Sequence, residues 1–141
     1  KALAAAQSEL AVAKAGALAS KAQVVGNFQL LVERLDGVDG AGMQGAAQSL
    51  VSQLGDVAAV VIGGLPDPAD QGKVILVAAF GKDVIAAKQQ AGTFIGGIAK
   101  ICGGGGGGRP NLAQAGGRDG AALDGALGEA RTQLNAALES D

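Results

Sequence analysis

Residues 101–119 read ICGGGGGGRPNLAQAGGRD. Gly103, Gly104, Gly105, Gly106, Gly107 and Gly108 run without interruption into Arg109-Pro110, although any other residue type would lose less conformational entropy on folding. Such a run is kept where bare backbone is needed. A helix ending at Cys102 requires one residue in the left-handed conformation to stop it, and a single glycine meets that need. The remaining glycines have three readings: a flexible linker, a crossing where two backbones approach closely, or a nest of free N–H groups for an anion. The linker reading is weakened by the apolar stripes of both flanking helices and by RPNLAQAGG, which lacks the composition of a spacer. A Walker-type phosphate loop fails because no Lys-Ser or Lys-Thr follows the glycines. A dinucleotide fingerprint fails because the run follows a helix rather than a strand. In the anion reading, backbone N–H groups supply dipoles, Arg109 supplies a guanidinium and phosphate is the natural guest.

Working outward, the spacing predicts one long helix from about Lys82 to Ile101, with Val84, Ala87, Ala91, Phe94, Ile98 and Ile101 on one face and Lys88 and Lys100 on the other. A final helix from Asp119 carries Leu123, Leu127, Ala130, Leu134 and Leu138 on its core stripe. Val57–Gly63 and Lys73–Phe80 have the apolar, β-branched character of strands, separated by the loop LPDPADQG. Met43, Ala47, Leu50, Val51 and Leu54 mark a core-facing helix, and VVGNFQLLVERLD reads as one interrupted strand or two short ones. Before Gln23 the pattern changes to an alanine-rich helix, with Leu3, Leu10 and Ala17 at seven-residue spacing, a narrow seam suited to another helix. The expected organisation is a helical arm over residues 1–22 and a globular domain over residues 23–141. The fold class is α+β, a mixed sheet packed by helices with a Gly-rich loop. Lys1 opens in the middle of a helical pattern without a leader, so the chain is expected to be part of something longer.

Composition bounds the chemistry. The 141 residues include no His, Tyr or Trp and only three Phe, which removes imidazole bases, His-containing zinc sites and Ser-His-Asp or Cys-His machinery. No catalytic residue and no metal ligand is therefore expected. Cys102 is the single cysteine, so no internal disulfide forms, and a buried, inert thiol in a reducing compartment is the expectation. The longest apolar run, VAAVVIGGL, is far short of the roughly 20 residues of a bilayer-spanning helix. A soluble, cytoplasmic chain is expected. The net charge of −2 conceals an asymmetry: Lys82, Lys88, Lys100, Arg109 and Arg118 face only Asp83 between residues 82 and 118, whereas residues 31–81 are acidic. A basic segment around an anion-seeking loop favours a polyanion bound in a salt-sensitive, shape-directed way, as suits structured RNA.

GGGGGGRPNLAQAGG resembles the GGxGGGRPxxAQ(G/A)G signature that closes alanyl-tRNA synthetases, in a domain shared with DHH-family phosphoesterases. The alanine-rich arm, VVGNFQLLVERLDGVD, VAAVVIGGL and KVILVAAFGKDVIAAK follow that C-terminal domain in order, over the whole chain. The resemblance implies a tRNA-binding domain of an ATP-dependent alanine–tRNA ligase that helps tRNA(Ala) reach the aminoacylation and editing sites of a protein-biosynthesis enzyme. The domain itself is non-catalytic and free of cofactors; ATP, Mg and Zn belong to the full-length parent. It also implies a possible homodimer through the arm or the globular part. The residues it marks for RNA or phosphate are Gly103–Gly108, Arg109, Gln114, Lys82, Lys88, Lys100 and Arg118. Many relatives carry Lys where this chain has Gly105, which leaves more of the task to the backbone. Two other readings stand beside it: the substrate-binding domain of a DHH-family phosphoesterase, whose glycine motif usually contains a His that this chain lacks, and a module serving dimerisation alone.

Overall fold

The computed structural model describes residues 22–26, 28–38, 40–67, 69–70, 72–87 and 89–139. The arm expected over residues 1–22 lies outside them except for its last residue. The strands are β1 (Gln23–Val25), β2 (Phe28–Arg34), β3 (Ala58–Gly64), β4 (Val74–Phe80), β5 (Gly105–Gly108) and β6 (Leu112–Gly117). The helices are α1 (Gly40–Leu54), α2 (Lys82–Ala86), α3 (Ala91–Ile101) and α4 (Leu123–Glu139), the last preceded by a 3-10 turn at Gly120–Ala122. One six-stranded sheet has the order β1-β2-β3-β4-β6-β5. All its pairs are antiparallel except β2–β3, which is parallel and connected through α1, the crossover a parallel pair demands. The α+β class holds.

Burial follows the period-2 rule of a strand. Even positions of β4 (Leu76, Ala78, Phe80) join Leu30, Val32, Ala59, Val61 and the buried residues of α3 and α4 in one core. Odd positions (Val77, Ala79) join Leu31, Val60, Ile62 and the Met43, Ala46, Ala47 and Leu50 face of α1 in the other. The central strands β3 and β4 are covered on both faces, hence their near-continuous apolar sequence. The stripe expected for the final helix is buried in full: Leu123, Leu127, Ala130, Leu134 and Leu138. Arg34 fastens this helix to β2 through Asp124 at 3.0 Å while also pairing with Asp36, and Arg131 Nη2 donates to the Val32 carbonyl at 2.6 Å. Those bonds to Asp36 and Asp124 raise the guanidinium pKa above its ordinary value.

Two expectations change. The helix expected over Lys82–Ile101 is two helices, because Ala87 leaves helical geometry and Gln90 adopts an extended one. The break lets α3 begin against the hairpin: the Ala91 N–H donates to the Pro110 carbonyl at 2.9 Å, satisfying one of the donors orphaned at a helix start. Its core face also rotates to Ala91, Ile95, Ile98 and Ala99, with Phe94 half-buried and Ile101 41% exposed. The glycine run, expected as a loop, forms edge strand β5 from Gly105 onward. Its register with β6 pairs Gly106 with Ala115 and Gly108 with Ala113.

Candidate nucleic-acid interface

The start of the run stops α3 as expected. Gly103 has φ +73°, its N–H donates to Lys100 O, and the Gly104 N–H donates to Ala99 O, each at 3.0 Å. This is the paired Schellman pattern. Beyond it the glycines divide by the space around them. Against β6, a Cβ on Gly106 would lie 2.5 Å from Ala115 Cα, and one on Gly108 would lie 2.9 Å from Ala113 Cα. On the helix opposite, a Cβ on Gly92 would lie 2.5 Å from Gly108 O, and one on Gly96 would lie 2.8 Å from Gly106 O. Helix and strand therefore meet backbone to backbone. A Cβ at Gly105 would meet nothing within 4 Å, and one at Gly107 would make only ordinary contact, 3.7 Å from Gly92 O of α3. Half of the strand's glycines are required by packing; the other half are not.

A cleft opens beside the hairpin. Gln44, Gly107, Gly108, Arg109, Leu112, Ala113 and Gln114 line a cleft of about 400 Å³ between α1 and the hairpin. Gln114 projects into it and its Oε1 accepts from Gln44 Nε2 at 2.5 Å. Arg109 is exposed at the rim and forms no ion pair among the described residues. The tip is held rigidly. Arg109 N–H donates to Leu112 O at 3.1 Å, and the Pro110 and Asn111 carbonyls accept from Ala91 and Phe80.

The expected binding residues do not form one cluster. Arg109 stands at the tip, the end at which Lys82 follows Phe80. Lys100 and Arg118 stand at the other end, where the Arg118 N–H donates to Cys102 O at 2.8 Å. The five residue steps of β6 between these ends span about 17 Å at roughly 3.4 Å each. Lys82, Lys100 and Arg118 are exposed, and Lys88 lies outside the described residues. Sequence reasoning missed Gln44, which no local signal marks, and Gly92 and Gly96, whose four-residue spacing beside a bare strand is a signal for close packing.

Cys102 is buried against Gly117. Burial pushes its thiol above the ordinary 9.0, and the Asp119 carboxylate adds to the shift. The protonated form is thus favoured in the folded state, so this contribution to stability is complete below the ordinary value and is lost as pH rises through the raised one. Alkylation with iodoacetamide at neutral pH is expected only after unfolding, and Cys102→Ala should flatten the decline in stability above pH 9.0. Rapid modification of the folded chain would contradict the burial.

Residues 27–139 match the DHHA1 domain family. The chain belongs to that family. Along its length this DHHA1 domain is 81% identical over 139 residues to the alanine–tRNA ligase of Synechococcus sp. (strain CC9902), an alignment covering 99% of this chain and 16% of that protein. It is 84% identical over 138 residues to the alanine–tRNA ligase of Parasynechococcus marenigrum (strain WH8102), covering 98% and 16%. The chain thus spans 16% of the length of these curated relatives. In structure it is similar to the C-Ala domain from Aquifex aeolicus alanyl-tRNA synthetase, with TM-score 0.66, 27% identity, and coverage of 84% of this chain and 97% of the other. Among the described residues, no helix of the DHHA1 domain is long and apolar enough to cross a membrane.

Proposed function

We propose that this DHHA1 domain is the C-terminal, tRNA-binding domain of a cytoplasmic alanine–tRNA ligase, and that it holds tRNA(Ala) through the open face of the glycine hairpin. The observation that carries the proposal is that neither Gly105 nor Gly107 is required by close packing, beside an Arg109 without an ion pair and a cleft lined by no acidic side chain among the described residues. A phosphate approaches backbone most closely where no Cβ intervenes, and a free guanidinium matches its oxygens in a bidentate fork. The separation of Arg109 from Lys100 and Arg118 suits contacts to an extended sugar-phosphate chain better than to one small anion.

The relatives supply the class of RNA. In the full-length ligase, ATP and Mg would serve the joining of alanine to tRNA, and Zn would be held elsewhere too. Among the described residues, no group of three or more His, Cys, Asp or Glu is arranged to hold a metal. The domain's share of the work is to bind and orient tRNA while other parts carry out the chemistry, alone or within a homodimer.

The test is binding of the whole chain to tRNA across a salt series. Arg109→Ala should weaken binding about tenfold and reduce the salt slope by about one. Equal affinity and equal slope for both proteins would remove the hairpin from the interface.

A further inference from the structure

A second concave site lies on the opposite side of the sheet, where α3 meets α4. Gln89, Gln90, Thr93, Phe94, Gly97 and Gln133 line an open groove of about 340 Å³. Gly97 is the unexplained member. Gly92 and Gly96 are required by the strand beneath them, but a Cβ at Gly97 would meet nothing within 4 Å, and its φ is not in the left-handed region. A glycine inside a helix is less favourable than alanine, and no contact in the fold asks for this one. The consequence of its missing side chain is to leave the groove open: a helical side chain leans back over the preceding turn, so any larger residue there would cover Thr93 and Phe94.

The lining is uncharged. Phe94 is half-buried and is backed by Phe80, with ring centroids 5.9 Å apart and tilted at 51°, so its accessible part is a fixed apolar surface. Around it stand amides and one hydroxyl. The side chains of Gln89, Gln90 and Thr93 form no hydrogen bond to another described residue. Gln133 Nε2 donates to Glu129 Oε1 at 2.9 Å, which orients the amide and leaves its oxygen and second N–H available. A ring surface framed by neutral amide donors and acceptors suits a planar, uncharged heterocycle with hydrogen-bonding edges. It does not suit an isolated phosphate.

We infer that this groove receives one unpaired nucleobase of the bound RNA, stacked at Phe94 and read on its edge by the carboxamides of Gln90 and Gln133. This rests on the RNA-binding reading above but uses separate residues, so the two can fail separately. The groove would supply the contact that phosphate binding at the hairpin lacks, a dependence on which bases are unpaired.

The test combines Gly97→Leu, whose Cβ has open space and whose longer side chain would occupy the groove, with Gly97→Ala as the control. The whole chain is titrated with an RNA stem-loop and with its fully paired counterpart, with thermal unfolding to verify the fold and NMR shifts recorded at Thr93, Phe94 and Gly97. The expected result is a preference for the stem-loop, shifts at those residues, and about a tenfold loss of stem-loop affinity in Gly97→Leu with an undiminished Tm, in keeping with the magnitude of base–aromatic stacking. Duplex affinity and salt slope should be unaltered. If RNA binds with a salt slope that depends on Arg109 but Gly97→Leu changes nothing and no shift appears at Phe94, the nucleobase site is wrong and the hairpin reading survives. If no RNA binds but nucleosides alone produce those shifts, the hairpin reading fails and the groove is a site for free nucleosides, which overturns its assignment to a base of bound RNA. Absence of shifts with both RNA and nucleosides overturns the site.

Discussion

Gly106→Val is expected to destabilise the domain by about 3 kcal/mol or more, whereas Gly105→Val, one residue earlier in the same strand, should stay within about 0.5 kcal/mol of the parent. Valine favours strands at both positions by propensity, so propensity predicts no loss at either. Packing decides. At Gly106 the new Cβ would lie 2.5 Å from Ala115 Cα, 2.6 Å from Ala115 Cβ and 2.7 Å from Gln114 O. Two of these are backbone atoms, held by the β5–β6 ladder from beside and by α3 from above, and they have no rotamer to change. At Gly105 the same atom enters open space. Urea denaturation of the two variants measures the contrast directly. A midpoint for Gly106→Val close to that of Gly105→Val would show that the hairpin does not require contact between the two backbones. A loss equal to the expected one would be a large fraction of the 5–15 kcal/mol typical of a domain.

The second large effect lies at the centre of the sheet. Leu76 faces Gly63 directly across the β3–β4 ladder, and a Cβ on Gly63 would lie 2.5 Å from Leu76 Cδ2, with Leu123 Cδ1 and Leu127 Cδ2 at 3.2 and 3.3 Å. Leu76 thus fills the space of two residues. Leu76→Ala should cost about 3–5 kcal/mol, near the upper end for such truncations, because Gly63 has no side chain with which to fill the hole. Gly63→Ala alone should also destabilise, since Leu76 is fully buried and cannot swing aside. Together the two substitutions should cost less than their sum, by about 1 kcal/mol or more, since residues in contact couple on this scale. Thermal or urea unfolding of the four proteins completes the cycle. Strict additivity would mean that the two positions do not share one space.

Much of the architecture could be read from residue patterns. Val57–Gly63 and Lys73–Phe80 emerged as strands within one residue, because a strand buried on both faces shows as a short unbroken apolar run between turn signals. The stripe of the last helix was correct throughout, since each of its leucines had a 3.6-residue partner. Less was legible around the site. The stretch from Lys82 to Ile101 contains no proline to mark a stop before Ala91, and the break there coincides with the bond from the Ala91 N–H to the Pro110 carbonyl, more than a dozen residues away in sequence. For the same reason the face of α3 was misassigned: Gly92 and Gly96 carry no hydrophobic signal, yet they define the side that touches β5.

The glycine run marks the division most clearly. Its position, the Arg-Pro pair after it and the scarcity of acids around it are local properties of the chain, and they were sufficient to raise the expectation of an anion-seeking segment. A residue without a side chain has no periodicity, so nothing local distinguishes loop from strand or one glycine from the next. Contact with β6 leaves no room for a Cβ at Gly106 or Gly108 and leaves room for one at Gly105 and Gly107. The same contacts separated Arg109 from Lys100 and Arg118, brought Gln44 to Gln114 across 70 residues of chain, and exposed at Gly97 a vacancy that no sequence pattern records. Composition and spacing act on each residue and its near neighbours; which backbone atoms lie within a van der Waals radius of one another is decided only when distant elements pack.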